Sequence, residues 1–228
     1  MGERTMQTLS ARARPRLEGA TPVPAGETLF ESLRSSLVRF SRLVQSLEAE
    51  GHTGYLALIT DQAQGLVFFR DGRRMEAVYE GGVVSRGKAA LEVIAQDVEA
   101  GKGVLDAVAL PGVLVDVLPG LWLGKPLYQE LRASWVDING LLSFLHQRGT
   151  RGSMLVRSAT ATGVILLLGS DDVWAYTSNR TEPVHGSSLV AELCSDPRAS
   201  IEVRSAALIP ASEDGIASIR LELAPLPD

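Results

Sequence analysis

Residues 67–82, VFFRDGRRMEAVYEGG, decide the fold, because they read as two strands joined by a two-residue turn. Asp71 and Gly72 lie between two apolar runs, and an Asp-Gly loop is a strong β-hairpin signal since both central residues adopt positive φ. Arg70, Arg73 and Arg74 surround this turn. Two interpretations stay open, a solvated hairpin tip and a charged docking point for a partner.

A second copy of the hairpin lies 98 positions further along the chain. With that constant shift, LFESLRSSLVRFSRLVQSLEAEGHTGYLAL aligns with LYQELRASWVDINGLLSFLHQRGTRGSMLV without a gap. Glycines and apolar residues keep their places, as backbone geometry and a core require: Gly51, Gly54 and Gly65 fall on Gly149, Gly152 and Gly163. In the turn, Gly169, Ser170 and Asp171 replace Asp71, Gly72 and Arg73, so the turn is kept and its charges are not.

Each copy predicts the same elements. An amphipathic helix carries one apolar stripe, Leu37, Phe40, Val44 and Leu47 in the first copy and Trp135, Ile138, Leu142 and Leu145 in the second. Ser36 and Ser134 are the candidate N-caps, and the helices end at Gly51 and Gly149. Three strands follow as a meander, then a second helix and a fourth strand. A closing extended run is predicted at 113–118 (VLVDVL) and at 219–224 (IRLELA).

The predicted fold class is α+β, a tandem repeat of two units, each a small mostly antiparallel sheet covered by helices on one face. Residues 29–36 and 127–134 fit either a helix or a strand, because their apolar spacing of four satisfies both periods. We expect a flexible tail over 1–27, a first unit over 28–124 and a second over 125–228. The apolar linker PGLWLGKP, 119–126, predicts that the units pack together with Trp122 in or near the seam.

Composition and charge narrow the function classes. A net charge of −5 and a pI near 5.3 argue against nucleic acid as a partner, which needs clustered cations. No apolar run is long enough for a membrane span, and the arginines of the N-terminus precede no signal-like apolar segment, so we expect a cytoplasmic protein. Cys194 is the single cysteine, which fits a reducing compartment.

No catalytic constellation is visible in the sequence. His52, His146 and His185 lie in none of the motifs typical of metal or nucleophile chemistry, so we expect no metal, no cofactor and no enzyme activity. The stretch EGGVVSRGK, 80–88, leads into a predicted helix but lacks the Lys-Ser/Thr of a phosphate loop.

The first copy resembles the PATAN-type domain family, named for the N-terminal domain of PatA-like bacterial response regulators. The resemblance lies in GHTGYLAL, QGLVFFRDGRRMEAVYEGG, GKAALEVI and GVLDAVAL. The family positions are occupied by Gly54, Leu56, Leu58, Gly65, Phe68, Gly72, Ala77 and Leu91. The second copy matches in its helix and strands but has Ser170 in place of the hairpin glycine.

This resemblance implies a protein–protein interaction module, an adaptor or regulator in bacterial signalling, whose partner is another protein such as a signalling or receiver-domain protein. We place the expected partner site at the charged hairpin, on Arg70, Asp71, Arg73 and Arg74, with Tyr79 beside it. The alternative is a sensor that binds a small ligand or nucleotide in the cleft between the units. A homodimer formed through an exposed strand edge also stays open.

Overall fold

The structure is a computed structural model that describes residues 20–169 and 172–206. The first unit contains β1 (Glu27–Arg34), a 3₁₀ turn (Ser35–Leu37), α1 (Phe40–Ala49), β2 (Gly54–Ile59), β3 (Gln64–Arg70), β4 (Arg73–Glu80), β5 (Val84–Arg86), α2 (Gly87–Glu99) and β6 (Val104–Ala109). Two short linker helices follow, α3 (Gly112–Val115) and α4 (Gly120–Leu123). The second unit contains β7 (Pro126–Arg132), a 3₁₀ turn (Ala133–Trp135), α5 (Ile138–Gln147), β8 (Arg151–Arg157), β9 (Thr162–Leu168), β10 (Val173–Thr177), β11 (Val184–His185), α6 (Ser188–Ala191), a 3₁₀ turn (Glu192–Ser195) and β12 (Ser200–Ser205).

The two units have the same sheet topology, so the fold class predicted from the repeat is confirmed. The first sheet has the order β1-β6-β2-β3-β4-β5 and the second β7-β12-β8-β9-β10-β11, with every pairing between described residues antiparallel. The repeat extends to backbone irregularities. Ser32 and Glu130, which are 98 positions apart, have the unusual φ values of 56° and 55° in the edge strands β1 and β7.

Helices cover one face of each sheet, and the opposite faces meet between the units. In the first unit α1 and α2 bury Phe40, Val44 and Leu91 against the sheet. In the second unit Leu145 and Val190 do the same from α5 and α6. The inner faces share a third apolar cluster, the seam, which joins side chains of both sheets with those of the two linker helices, including Phe68, Leu118, Leu155 and Leu166. The layers therefore run helix, sheet, sheet, helix.

Trp122 lies in this seam, as the linker composition predicts. Its ring is 6.1 Å from that of Phe68, centroid to centroid, and its indole Nε1 donates to Glu80 Oε2 at 2.9 Å. The linker helix α4 packs on β8 and β12 of the second unit, while α3 packs on β2 and β3 of the first. The linker is therefore part of the packed interface.

Residues 20–26, which the sequence places in the predicted tail, also pack in the seam. Tyr55 and Tyr176 donate their hydroxyl protons to the carbonyls of Pro24 and Pro22, at 2.8 and 3.0 Å. Ala25 donates its backbone N–H to Thr181 of the second unit at 2.7 Å. Residues 1–19 of the predicted tail lie outside the described residues.

Several local predictions need correction. The open question over 29–36 and 127–134 resolves to strands β1 and β7, each followed by a 3₁₀ turn. Ser36 and Ser134 lie inside those turns and cap nothing, since the N-caps of α1 and α5 are Arg39 and Asp137. Asp137 accepts the N–H of Asn139 at 3.1 Å, as a capping carboxylate does.

The run VLVDVL forms the last three residues of α3 and the turn that follows, instead of an extended run. Pro111 precedes α3 as its N-cap, and Leu114, Leu118 and Leu121 recur at helical spacing to bury one side in the seam. The other predicted extended run, 219–224, lies outside the described residues. Within the described ranges no helix is long and apolar enough to cross a bilayer.

Candidate functional site

The hairpin tip, Arg70 to Arg73, has the predicted turn geometry. Arg70 pairs with Arg73, and the two central residues Asp71 and Gly72 have φ values of 49° and 75°, as the Asp-Gly signal requires. The turn is tied to the body of the first unit. Gly72 donates its N–H to the carbonyl of His52 at 2.9 Å, and Asp71 donates its N–H to the hydroxyl of Thr53 at 2.9 Å. The hairpin prediction is confirmed, and the tip is held in one geometry.

Arg70 connects the tip to the linker. Its Nε lies 3.4 Å from Asp71 Oδ2 and 3.9 Å from Asp116 Oδ1, just after α3. Its guanidinium lies directly on Gly112, where a Cβ would overlap it. Because its side chain is 34% exposed and paired on two sides, Arg70 offers only part of its charge to a partner.

Arg73 and Arg74 have opposite environments. Arg73 is exposed at the tip. The Arg74 side chain is only 6% exposed, and its Nε donates to Glu48 Oε1 of helix α1. Arg74 therefore fastens the hairpin to α1, and a partner cannot contact it without unpacking the hairpin.

Tyr79 lies at the far end of β4 from the tip. It lies six positions along the strand from Arg73, which is roughly 20 Å at the usual rise per residue. Its hydroxyl donates to Asp97 Oδ2 of α2 at 2.6 Å. Burial together with this hydrogen bond to a carboxylate raises the pKa of Tyr79 to about 12.

Asp97 completes that pair from the helix side. Burial acts to raise the pKa of Asp97, but hydrogen bonds from Lys102 and Tyr79 and the charge of Lys102 outweigh it, so the pKa is lowered. Lys102 Nζ lies 2.7 Å from Asp97 Oδ1. Tyr79 thus holds α2 on the sheet. The structure brings Arg70, Asp71 and Arg73 together and leaves Arg74 and Tyr79 in packing roles.

A basic groove with an exposed tryptophan lies on the second unit, which sequence reasoning missed. We call it the arginine groove and define it by Glu130, Arg132, Trp135, Arg157, Arg198 and Glu202; its volume is about 820 Å³. Trp135 is 69% exposed, and the guanidinium carbon of Arg132 lies 5.4 Å from its ring centroid. Arg157 and Arg204 both bridge to Glu202, at 3.4 and 2.6 Å.

The periodicity of the sequence did not indicate this groove, because Trp135 fits the helical spacing of an apolar stripe. The apolar spacing predicts that Trp135 and its counterpart Leu37 belong to the stripes of α5 and α1. That prediction is wrong, because both residues end the 3₁₀ turns and are 69% and 76% exposed. A usable signal was the change between copies. Leu37 becomes Trp135 and Ile59 becomes Arg157, while Arg34 and Arg132 keep a cation at the edge strand. An aromatic and an added cation at an already exposed site are typical of an interface.

The cleft expected between the units is filled by the seam, and a pocket of about 430 Å³ remains at its rim. Glu27, Leu110, Trp174 and Glu182 are among the residues that line it. The buried Nε1 of Trp174 makes no hydrogen bond to any residue in the described part of the chain.

In the glycine-rich segment that leads into α2, the first backbone N–H of the helix already has a hydrogen-bond acceptor. Gly87, the first residue of α2, donates its N–H to Glu76 Oε1 at 3.0 Å. Glu76 Oε1 also accepts the N–H of Ala77, at 2.9 Å. A carboxylate at this helix start opposes the binding of a phosphate there.

Comparisons with protein-family models, with curated proteins and with solved structures found no match to this chain. The resemblance to the PATAN-type family therefore stays a prediction. What the chain does has to be inferred from its own surfaces.

Proposed function

We propose that the chain is a non-enzymatic protein–protein interaction module that acts in the cytoplasm as an adaptor or regulator of bacterial signalling. The observation that carries the proposal is the hairpin tip, where a charged turn is fixed to the body and projects Asp71 and Arg73 into solvent. A surface that is ordered before binding loses little conformational entropy when a partner docks, so more of the contact energy becomes affinity.

The contact surface within the hairpin is smaller than the five residues proposed from sequence. Asp71 and Arg73 provide it, and Arg70 adds a partly committed charge. Arg74 supports this surface from behind through Glu48, whereas Tyr79 holds α2 through Asp97 at the opposite end of β4. The partner in this proposal is another protein, such as a signalling or receiver-domain protein with a complementary charged patch.

An affinity pull-down from a bacterial cytoplasm tests this role with three proteins side by side: the full chain, R73E and K88E. Lys88 is the matched control, because it is an exposed cation of the same unit and its replacement changes the charge equally. Proteins retained by the full chain and K88E but lost from R73E would support both the role and the site. Equal retention by all three would remove the site from the tip, and retention of none would argue against an adaptor.

A second candidate function is a sensor for a small ligand in the seam pocket. The observation that favours it is the buried indole N–H of Trp174, which lacks a hydrogen-bond acceptor among the described residues beside a space of about 430 Å³. Among the described residues, Glu27 and Glu182 line this pocket and no Lys or Arg does, so a neutral or cationic ligand with a hydrogen-bond acceptor fits better than a nucleotide. A thermal-shift screen tests it: compounds that stabilise the full chain but not W174F would support a sensor.

A further inference from the structure

We propose that the arginine groove of the second unit binds an acidic, extended peptide segment of a partner protein. This inference rests on the proposed function as a protein-binding module and adds a second surface with a stated partner chemistry. The groove lies on a different unit from the hairpin tip. The two surfaces can therefore be disabled separately.

The charges of the groove favour carboxylates. Arg132 and Arg198 form no ion pair with any residue in the described part of the chain, whereas Glu202 is already held by Arg157 and Arg204. Of the two carboxylates among the described lining residues, Glu130 is the one that opposes an incoming acid, because Glu202 is already paired. Arginine guanidinium groups present paired N–H donors that match a carboxylate in a bidentate way. In a chain of net charge −5, such a basic groove attracts an acidic segment by local complementarity.

Trp135 supplies the apolar anchor. An indole that is 69% exposed leaves a large apolar surface in water, and burying it under a partner side chain is favourable. Arg132 stacks over the same ring, so one face of the indole is already shaped by a cation. Tryptophan and arginine are the residue types most enriched among the side chains that dominate binding energy.

The shape of the groove suits an extended segment. Most of its lining residues lie on β7, on β12 and at the end of β8, and β7 is an edge strand with no further strand on its outer side within the described residues. The positive φ of Glu130 bends this edge, which limits continuous strand pairing and leaves side-chain contacts to carry recognition. A volume of about 820 Å³ is in the range that accommodates several side chains at once.

The first unit provides an internal control, because its equivalent surface lacks the groove's chemistry. Leu37 replaces Trp135 and Ile59 replaces Arg157 under the same backbone. Asp106, which pairs with Ala57 as Glu202 pairs with Leu155, instead accepts the N–H of Ser32 at 2.7 Å and closes the surface. Arg34 alone is kept as the counterpart of Arg132.

Fluorescence anisotropy of the full chain with a labelled peptide, Gly-Glu-Leu-Glu-Glu-Leu-Glu-Gly, tests the inference directly. The control peptide carries Gln at every Glu. We expect the acidic peptide to bind more tightly, and its affinity to fall with added salt because exposed charges are screened. Loss of a dominant contact costs about tenfold or more in affinity. We expect that loss in W135A and in the double variant R132E and R198E.

R34E and L37A are the matched controls, because they make the same kinds of change at the equivalent exposed positions of the first unit. They should leave peptide affinity unchanged. Equal binding of the acidic and Gln peptides, or equal losses in both sets of variants, would overturn the inference. So would a dimer that disappears in the groove variants, which would assign the groove to a second copy of the chain. If the peptide fails while R73E still loses partners in the pull-down, the proposed function stands without this groove.

Discussion

At the scale of single residues, Arg73 and Arg74 are neighbours in sequence with opposite roles. A β-bulge explains this, since Phe68 pairs with Glu76 while Phe69 pairs with Arg74, which leaves Met75 as the extra residue. The bulge turns Arg74 toward helix α1, where it meets Glu48. A regular alternation would have turned Arg73 inward.

We predict that R74A destabilises the protein by about 1–3 kcal/mol, because it leaves Glu48 without its buried partner and removes the contact between the hairpin and α1. Urea unfolding measures the change. R73A is the control, since Arg73 is exposed, and its effect should stay within about 0.5 kcal/mol. Equal losses in the two variants would contradict the buried role of Arg74.

Tyr79 should give the stability a high-pH limit. Its pKa is raised from an ordinary value near 10 to about 12, so the folded state retains the phenolic proton that the unfolded state loses. The stabilisation from this group is therefore fully present below pH 10 and is lost as the pH rises from about 10 to 12. Urea unfolding across this window should show a steeper loss for the natural chain than for Y79F. Parallel curves would show that the hydrogen bond to Asp97 does not protect Tyr79.

The predictability of the candidate site differs between its residues. Asp71 and Gly72 could be placed correctly because an Asp-Gly turn demands positive φ at both positions, which is a local property. The burial of Arg74 could not, because it depends on a bulge and on a glutamate that lies 26 residues away in α1. Tyr79 is close to the hairpin tip in sequence, but the extended strand β4 places it at the opposite end from the tip.

At the scale of elements, the hairpin packs its turn directly on the end of helix α1. Gly72 has φ 75°, and a Cβ at this position would clash with the carbonyl oxygen of Glu48. Gly51, which ends α1, has a similar φ of 70° but open space around it. Gly82 has open space and no such backbone constraint.

Alanine substitution of these three glycines separates the cost of left-handed backbone strain from the cost of a steric clash. We expect G82A to be nearly neutral, G51A to cost about 1–2 kcal/mol from left-handed backbone strain, and G72A to cost more than G51A because a clash adds to that strain. Thermal or urea unfolding ranks them. If G72A is no worse than G51A, the tip is not packed on α1 as described.

The sequence predicts where the helices α1 and α5 lie but not the residues at which they begin. Leu37 and Trp135 lie three residues before Phe40 and Ile138, so helical spacing includes them, yet the chain adopts a 3₁₀ turn there and points both side chains outward. Periodicity cannot distinguish a helix from a turn at the same spacing. In the second unit the helical segment after β11 is short: α6 has four residues against thirteen in α2, and the 3₁₀ turn that follows it ends at Ser195, directly before Asp196-Pro197.

At the scale of the whole molecule, the two units act as one packed body because the seam is shared. The repeated glycine and apolar positions were enough to predict two similar units, because glycines reflect a common backbone geometry and apolar residues a common core. The apolar linker was enough to predict their packing. Residues 20–26 were missed because their composition is that of a tail, and their order comes from Tyr55, Tyr176 and Thr181 far along the chain.

Deleting most of the segment 20–26 therefore tests whether it helps to hold the two units together. Deletion of residues 1–25 removes the carbonyls to which Tyr55 and Tyr176 donate, and it removes the two hydrogen bonds from Thr21 to Glu80. Tyr176 is fully buried, so the loss of its acceptor is costly. With the burial of Val23 also lost, we expect the unfolding free energy to fall by roughly 2–5 kcal/mol.

Deletion of residues 1–19 is the matched control, because it leaves each of these hydrogen bonds in place, and it should unfold at a higher urea concentration than the longer deletion. A synthetic peptide of residues 17–27 added to the longer deletion should raise its unfolding midpoint as the peptide concentration rises, since it binds only the folded seam. Equal midpoints for the two deletions, or no response to the peptide, would mean that the sheets and linker helices hold the units together without this segment.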